Sequence, residues 1–451
     1  MSSAEAAKRI SRSGVSAVTG ESQGTTPFGA GRTAWIISYT PVVKEPRVIR
    51  QAMALRDSGW RVVVFGLNAP ASCPVWWHHV PLPENPERES PDRRLLRLVH
   101  LLRKYHRLLL LRASQALACA PVSAFLRQLA ARVHHSGVEA FACKRRVIRD
   151  YAGKVAREHP EQAPALVLSH DYFTADIAWQ LAQRFQARMV IDCHEYASGQ
   201  YMQNPRWVRW HRPRVLALQQ YYLSRADATT TVCEGIAGLL DAEYRLRRPV
   251  RVVRSMPFYS EQPFRPAGNL LTVIYHGEIY ASRGLHFAVR SLPLWRSEFR
   301  LVLRGYSDPS YVEELWRIAR DLGVADRLSI EAPVAFHDII PAANRADIGY
   351  FVHQDISPQR RFVLPNKFFE YVMAGLALCV SDLPEMARLV ARYNLGQLVP
   401  ECREQTIANV INSFNRQRID ACKQRSLAAA RELNWETERA QMLSLYEELW
   451  S

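Results

Sequence analysis

The run Leu364-Pro365-Asn366-Lys367-Phe368-Phe369-Glu370-Tyr371 sets a lysine and a glutamate three residues apart, just behind a proline. Proline suits the first turn of a helix, and the pattern predicts a helix from about Pro365 to Ala374. The free N–H groups and positive potential of such an N-terminus suit a diphosphate. Lys367 adds a point charge in the first turn. Glu370, about one turn further on, can accept hydrogen bonds from a ribose diol. An ordinary amphipathic helix with Lys and Glu facing water fits the same pattern. A second stretch, Tyr275-His276-Gly277-Glu278 through Arg283-Gly284-Leu285, joins an apolar run to a helix. Arg283 can hold phosphate oxygens with two parallel bonds, or can be a solvated loop arginine. A third, Val190-Ile191-Asp192-Cys193-His194-Glu195-Tyr196, puts His194 where an apolar run ends. That is where a ligand-facing residue of an α/β protein belongs, although a single histidine can equally be structural. No third or fourth ligand stands in register for zinc.

These stretches need elements to position them, and the chain supplies short apolar runs alternating with helical patterns. Strands are predicted at Ala34–Tyr39, Arg61–Gly66, Ala165–Ser169, Arg188–Asp192, Ala228–Val232 and Val250–Arg254. Helices lie between them, at Pro46–Ser58, Thr174–Phe185 and Trp207–Arg225. A second series starts at Leu271–His276. It continues through strands at Phe299–Leu303, Arg327–Glu331, Asp347–Val352 and Leu376–Val380, with a helix opening at Pro384 and three more closing the chain. Strand–helix–strand units of this length build parallel sheets. Pro257, Pro263 and Pro266 mark the joint. The expected organisation is a disordered tail over 1–32, a Rossmann-like domain over 33–258, a linker over 259–269, a second Rossmann-like domain over 270–432 and a terminal helix over 433–451. The fold class is α/β, with two doubly wound domains facing a cleft.

Residues 67–92 are rich in proline and polar residues and are predicted to be loop. Residues 93–157 break the alternation with a helical, basic block in which leucine clusters are interleaved with Arg93, Arg94, Arg97, Arg103, Lys104, Arg107 and Arg112. The block is either a helical insertion packed on the first domain or an element that meets anionic lipid. The chain of 451 residues carries a net charge of +16, which favours acidic partners. Its eight cysteines form no CxxC pair, which suits a reducing compartment. The most apolar stretch, Leu108–Leu126, contains Arg112, Gln115 and Pro121 and falls short of the ~20 clean apolar residues of a membrane span. With no apolar leader, the expected location is cytoplasmic, peripheral on the inner face of the membrane. GxGxxG and GxxxxGK[ST] are both absent, which excludes dinucleotide-dehydrogenase and P-loop chemistry. No interleaved aromatics of an RNA-binding surface are present, so no nucleic-acid partner is expected.

The string from Leu364 to Glu385 resembles the donor-site segment of retaining glycosyltransferases of the GT-B fold, specifically the large family 4. That family has a PNK-x-x-EY segment followed by a strand and a Ser-Asp-x-Pro-Glu turn. The resemblance covers about 34–66 and 165–400. It extends to Glu45-Pro46-Arg47-Val48, Ser169-His170-Asp171, Thr229–Glu234, Val252–Pro257 and Arg304-Gly305. It implies that Glu370 binds the nucleotide ribose and that Asn366 and Lys367 lie beside the donor. It also places Gly277 in the donor loop, Arg283 on the donor diphosphate and His194 beside the reacting carbon of the sugar. Three departures stand out: Phe362 replaces a family Glu, Glu278 follows Gly277 where Arg is common, and Ser38–Pro41 replaces an N-terminal Gly-Gly loop.

The implied activity is retaining transfer of a sugar from a nucleotide-diphosphate sugar to a lipid-linked or growing glycan. The implied partners are that donor, that acceptor and an anionic membrane surface. No cofactor and no metal are expected, since Arg283 and Lys367 can neutralise the diphosphate. Two other readings remain: a nucleotide-sugar epimerase of similar fold, and a binding protein that has lost catalysis.

Overall fold

The structure, a computed structural model, describes residues 29, 31–42, 45–67, 77–80 and 148–451. Most of the predicted tail and most of the predicted basic block lie outside these residues; a helix runs through residues 148–158. The chain forms two compact units, one up to Met189 and one from Val190 onward.

In the first unit, β1 (Thr33–Pro41), β2 (Arg61–Leu67), β3 (Trp77–Val80) and β4 (Leu166–His170) pair in the order β3-β2-β1-β4, all parallel. Ala34, Trp35, Ile36 and Ile37 are fully buried, as expected of a parallel strand covered on both faces. The predicted loop over 67–92 therefore contains a strand. An edge strand of four residues is held by backbone pairing, and it has no long apolar run to announce it.

The second unit carries β5 (Arg188–Cys193), β6 (Ala228–Thr231) and β7 (Arg251–Val252), parallel in that order. It also carries a six-stranded parallel sheet of β8 (Leu271–His276), β9 (Phe299–Arg304), β10 (Leu328–Glu331), β11 (Ile348–Phe351), β12 (Ala377–Ser381) and β13 (Gly396–Val399). Its order is β10-β9-β8-β11-β12-β13. The chain winds outward from β8 and returns to its other side at β11. The switch point thus lies between the carboxyl ends of β8 and β11, where doubly wound sheets bind ligands.

The single helix predicted over Trp207–Arg225 is two helices, Pro205–Trp210 and Arg212–Leu223. Pro213 lacks an N–H and would break the ladder inside one long helix, but it is tolerated at the start of a new one. Residues 259–269 are extended, without helix or strand. Three of their N–H groups are held: Tyr259 donates to Glu436 at 3.0 Å, Ser260 to the Met373 sulfur at 3.2 Å and Ala267 to Asp420 at 2.7 Å. The Trp435–Glu447 helix packs back through buried Glu438, which accepts from the Arg254 backbone at 2.6 Å and its guanidinium at 3.0 Å.

Candidate functional site

The switch point begins with a backbone that comes unusually close to its neighbours. After β8 the chain passes through Gly277, at φ 126°, and after β9 through Gly305, at φ 153°. A Cβ on Gly305 would lie 1.7 Å from the Gly277 carbonyl oxygen. A Cβ on Gly277 would lie 3.2 Å from Lys367 Nζ. Only glycine permits both the dihedral angles and the contact. The Tyr275 hydroxyl donates to the Glu278 carbonyl at 2.9 Å, which fixes the turn.

The Asn366–Met373 helix starts beside this turn. Phe368, Phe369, Tyr371 and Val372 bury its inner face, and Asn366 and Lys367 open it half-buried. Lys367 Nζ stands 5.4 Å from the Tyr275 ring centroid and 5.2 Å from that of Phe351, the range of cation–π attraction. No carboxylate lies within 4.0 Å of it among the described residues. Burial first, then neighbouring Arg283, pushes its pKa down to about 8, so the ammonium still prevails at neutral pH. Glu370, one turn on, accepts from His276 Nε2 at 2.7 Å. The His276 ring lies 4.6 Å from that of Tyr371, and the His276 backbone N–H donates to the Tyr371 hydroxyl at 3.2 Å. The carboxylate is thereby held by the residue that precedes Gly277.

More cations face this turn. Arg283 ends a short 3-10 segment, Ala281–Arg283, and donates to the half-exposed Glu278 carboxylate at 2.5 Å. Its Nε is buried with no hydrogen-bond partner among the described residues. Arg360, on the Pro358–Arg361 turn of helix, reaches the Ser282 carbonyl at 3.4 Å and His353 Nδ1 at 3.5 Å. His353, just beyond β11, is buried. Its backbone N–H donates to Ser381 Oγ at 2.6 Å. Burial, reinforced by Arg360, Arg283 and Lys367, holds its pKa down at about 3, so it is neutral at physiological pH.

His194 follows β5, its Nε2 3.4 Å from Asp192 Oδ2. Asp192 is fully buried and accepts from Thr230 Oγ1 at 2.6 Å. Two residues on, the Tyr196 N–H donates to Gln359 Oε1 at 2.5 Å, which ties the His194 loop to the turn that carries Arg360. Phe362 is a packing residue: a Cβ on Gly235 would come within 2.0 Å of its ring, and its carbonyl accepts from Cys233 Sγ at 3.2 Å. Buried Glu385, of the Ser-Asp-x-Pro-Glu turn, accepts the Gly235 N–H at 2.7 Å near the start of the Glu234–Tyr244 helix. Anionic caps are favoured there.

The structure therefore gathers Gly277, Arg283, Asn366, Lys367 and Glu370 around one turn, and it links the His194 loop to the neighbouring Arg360 segment. Sequence reading missed His276, His353 and Arg360. His353 is a strand-end residue and could have been found by that rule. The His276–Glu370 pair spans 94 positions, and no local spacing reveals it.

No family model matches the chain, and no curated protein does. Solved structures do. Sucrose-phosphate synthase from Thermosynechococcus elongatus is 16% identical with a TM-score of 0.63, over 93% of this chain and 99% of that one. HepE of Anabaena in complex with UDP and glucose is 14% identical with a TM-score of 0.62, over 92% and 100%. WaaG, a glycosyltransferase involved in lipopolysaccharide biosynthesis, is 11% identical with a TM-score of 0.59, over 91% and 99%. The chain shares the GT-B fold of these glycosyltransferases.

Proposed function

We propose that this chain is a glycosyltransferase that moves a sugar from a nucleotide-diphosphate sugar, with retention, as in the PNK-x-x-EY branch of family 4. One observation carries the reading: at the sheet's switch point a helix N-terminus, Lys367 and Arg283 surround a Cβ-free turn, with the carboxylate of Glu370 fixed one turn along. Cations and N–H groups in that place match a diphosphate, and a fixed carboxylate beside them matches a ribose diol. Solved structures of HepE with UDP and with UDP-glucose are consistent with such a donor.

In this reading the chemistry is positioning and charge stabilisation. Lys367 and Arg283 take up the negative charge that develops on the leaving diphosphate. The half-buried Lys367 ammonium, between the Tyr275 and Phe351 rings, is screened less by water than an exposed charge. The Glu278–Arg283 pair is half-exposed, a class of ion pair worth about 0–1 kcal/mol, so a diphosphate can displace Glu278 at small cost. His194 lies beside the sugar. No divalent metal enters, and transfer is expected to persist in EDTA.

The acceptor, a lipid-linked or growing glycan, brings the protein to the cytoplasmic membrane face. Among the described residues no helix is long and apolar enough to cross a membrane. The support for peripheral binding is the segment from Tyr196 to Ala226, which has five arginines and no acidic residue. Its Tyr201, Trp210 and Tyr221 are exposed by 56%, 46% and 46%. Aromatics beside basic residues suit a lipid interface.

The test is a thermal-shift screen of nucleoside diphosphates and nucleotide sugars, followed by a transfer assay with and without acceptor. A ligand at a hundredfold its Kd adds about 2.7 kcal/mol of stability. A diphosphate that raises Tm, with product formed only when acceptor is present, is expected. Release of an altered sugar nucleotide without acceptor would point to epimerisation, and no response to any nucleotide would remove the donor site.

A further inference from the structure

The switch point holds one more cation than the donor site described above uses. Arg360 lies on a turn whose other residues are committed elsewhere. Ser357 Oγ caps the turn by accepting the Arg360 N–H at 3.2 Å. Gln359 takes the Tyr196 N–H. Arg361 points to Asp355 at 3.0 Å. Arg360 itself is half-buried, has no carboxylate within 4.0 Å among the described residues, and makes only two long contacts, at 3.4 and 3.5 Å. The first of these is to the carbonyl of Ser282, the residue before Arg283.

Two guanidinium groups placed side by side repel, and burial makes the repulsion worse. The pKa of Arg360 is lowered by burial first and by Arg283 second. His353, the group against its other side, is neutral and adds no charge of its own. Among the described residues, other charged groups near the turn are Lys367, Glu370, which is held by His276, Glu278, which is occupied with Arg283, and the Arg361–Asp355 pair. Such an arrangement is at ease only with an anion between the cations. The residue after Gly277 is Glu278, so the loop end of β8 contributes an acid and no cation there.

We propose that Arg360 is a third cation on the donor diphosphate, supplying from the β11 side the positive charge that position 278 does not. The proposal rests on the reading of this pocket as the diphosphate site. When the diphosphate binds, Arg283 exchanges Glu278 for phosphate oxygens and Arg360 closes on the same group. The anion then relieves the repulsion between the two arginines.

The experiment uses the full chain and four variants: Arg360→Gln, Arg360→Lys, Arg361→Gln and Arg283→Ala. Affinities for UDP and UMP, or for the same pair with whichever base the screen selects, are measured by titration calorimetry. Arg360→Gln is expected to weaken the diphosphate about tenfold, the loss of one charge-assisted contact, and the monophosphate about twofold or less. Arg360→Lys should recover part of the loss and Arg361→Gln should change neither. If Arg360→Gln binds UDP as tightly as wild type while Arg283→Ala does not, the role of Arg360 is overturned and the donor pocket stands. If Arg360→Gln loses both ligands equally together with Tm, Arg360 only supports the fold. If the loss is confined to a nucleotide uronate and plain UDP binds as before, Arg360 serves the sugar end and the proposal is overturned. If Arg283→Ala also binds UDP normally, the pocket reading falls first and Arg360 with it.

Discussion

The end of β5 and the paired ends of β8 and β11 are both strand-end loops of the second unit, yet they are electrically opposite. At β5 the imidazole of His194 sits 3.4 Å from a buried carboxylate, Asp192, that is itself anchored by Thr230. At β8 and β11, Arg283, Arg360 and Lys367 collect around a turn with two carboxylates; of the histidines beside them, His353 is kept neutral and His276 is hydrogen-bonded to Glu370. A ring oriented by a buried carboxylate is suited to meeting a reacting sugar. Surplus positive charge is suited to holding an anion. In the proposed reading, binding and reaction are divided between two loops, joined by the hydrogen bond from Tyr196 to Gln359.

The sharpest way to break that division is to remove one group from each side. His194→Ala is expected to lower kcat on the order of a hundredfold, the scale of a lost positioning contact, with UDP affinity within about twofold of wild type. Lys367→Ala and Arg283→Ala should each lower kcat/KM at least about tenfold, with a matching loss of UDP affinity. Steady-state kinetics beside calorimetry separates the two. A His194 variant that loses UDP, or a Lys367 variant that keeps it, would merge the regions or exchange their roles.

The next effect is smaller. Glu370→Ala should weaken UDP by up to about tenfold, since a fixed acceptor for the ribose is lost. His276→Ala should weaken it only severalfold, because it loosens Glu370 without removing it. A structural role for His276 alone would predict a lowered Tm in His276→Ala with unchanged affinity for ribose-containing ligands, while Glu370→Ala still loses affinity. Such a result would detach His276 from the site.

Part of this site was visible in the residues alone. Apolar runs such as Leu271–His276 have few ways to be buried except as strands of a parallel sheet, and they were found with boundaries within a residue or two. Lys367, Glu370 and Arg283 stand out in the sequence because a helix start and a strand-end loop are local patterns. His276 and Arg360 do not, because their meaning depends on β8 lying next to β11, a neighbour relation set by winding order and not by spacing. The split at His211 was missed because the helical periodicity runs through Pro213. Phe362, noted as a departure from the family pattern, proved to fill the space over Gly235.

The acidity of Lys367 gives a third test of the cationic region. Its pKa in the free protein is held at about 8, below the ordinary lysine value. A bound diphosphate favours the ammonium form and raises that pKa. Affinity is therefore full below pH 8 and is lost as pH climbs through it, on the order of tenfold by pH 9. Arg stays charged over this range, so Lys367→Arg should flatten the profile. A wild-type profile that is flat from pH 7 to 9 would mean that Lys367 does not face the phosphates.

The smallest expected effect concerns the two helices that follow the His194 loop. Arg206, Arg209 and Arg214 are exposed on the Pro205–Trp210 and Arg212–Leu223 helices, and Arg209 lies 5.4 Å over the exposed Trp210 ring. Each basic residue near an anionic surface contributes about 1 kcal/mol, an attraction that fades within a Debye length. A tryptophan at the headgroup level adds apolar burial that salt does not screen. If this face meets the membrane, the protein should sediment with anionic vesicles at low salt, remain free with neutral ones, and be only partly released by high salt. Arg206→Glu with Arg209→Glu should weaken vesicle binding, and Trp210→Ala should remove the part that resists salt. Transfer to a soluble acceptor should stay unchanged in all three, because none of these residues touches the donor site. The competing account is that the predicted basic block over 93–157 does the binding. In that case charge reversal of Arg103, Lys104 and Arg107 releases the protein while the Arg206, Arg209 and Trp210 variants sediment like wild type. Wild-type protein that ignores anionic vesicles altogether would place the acceptor in solution.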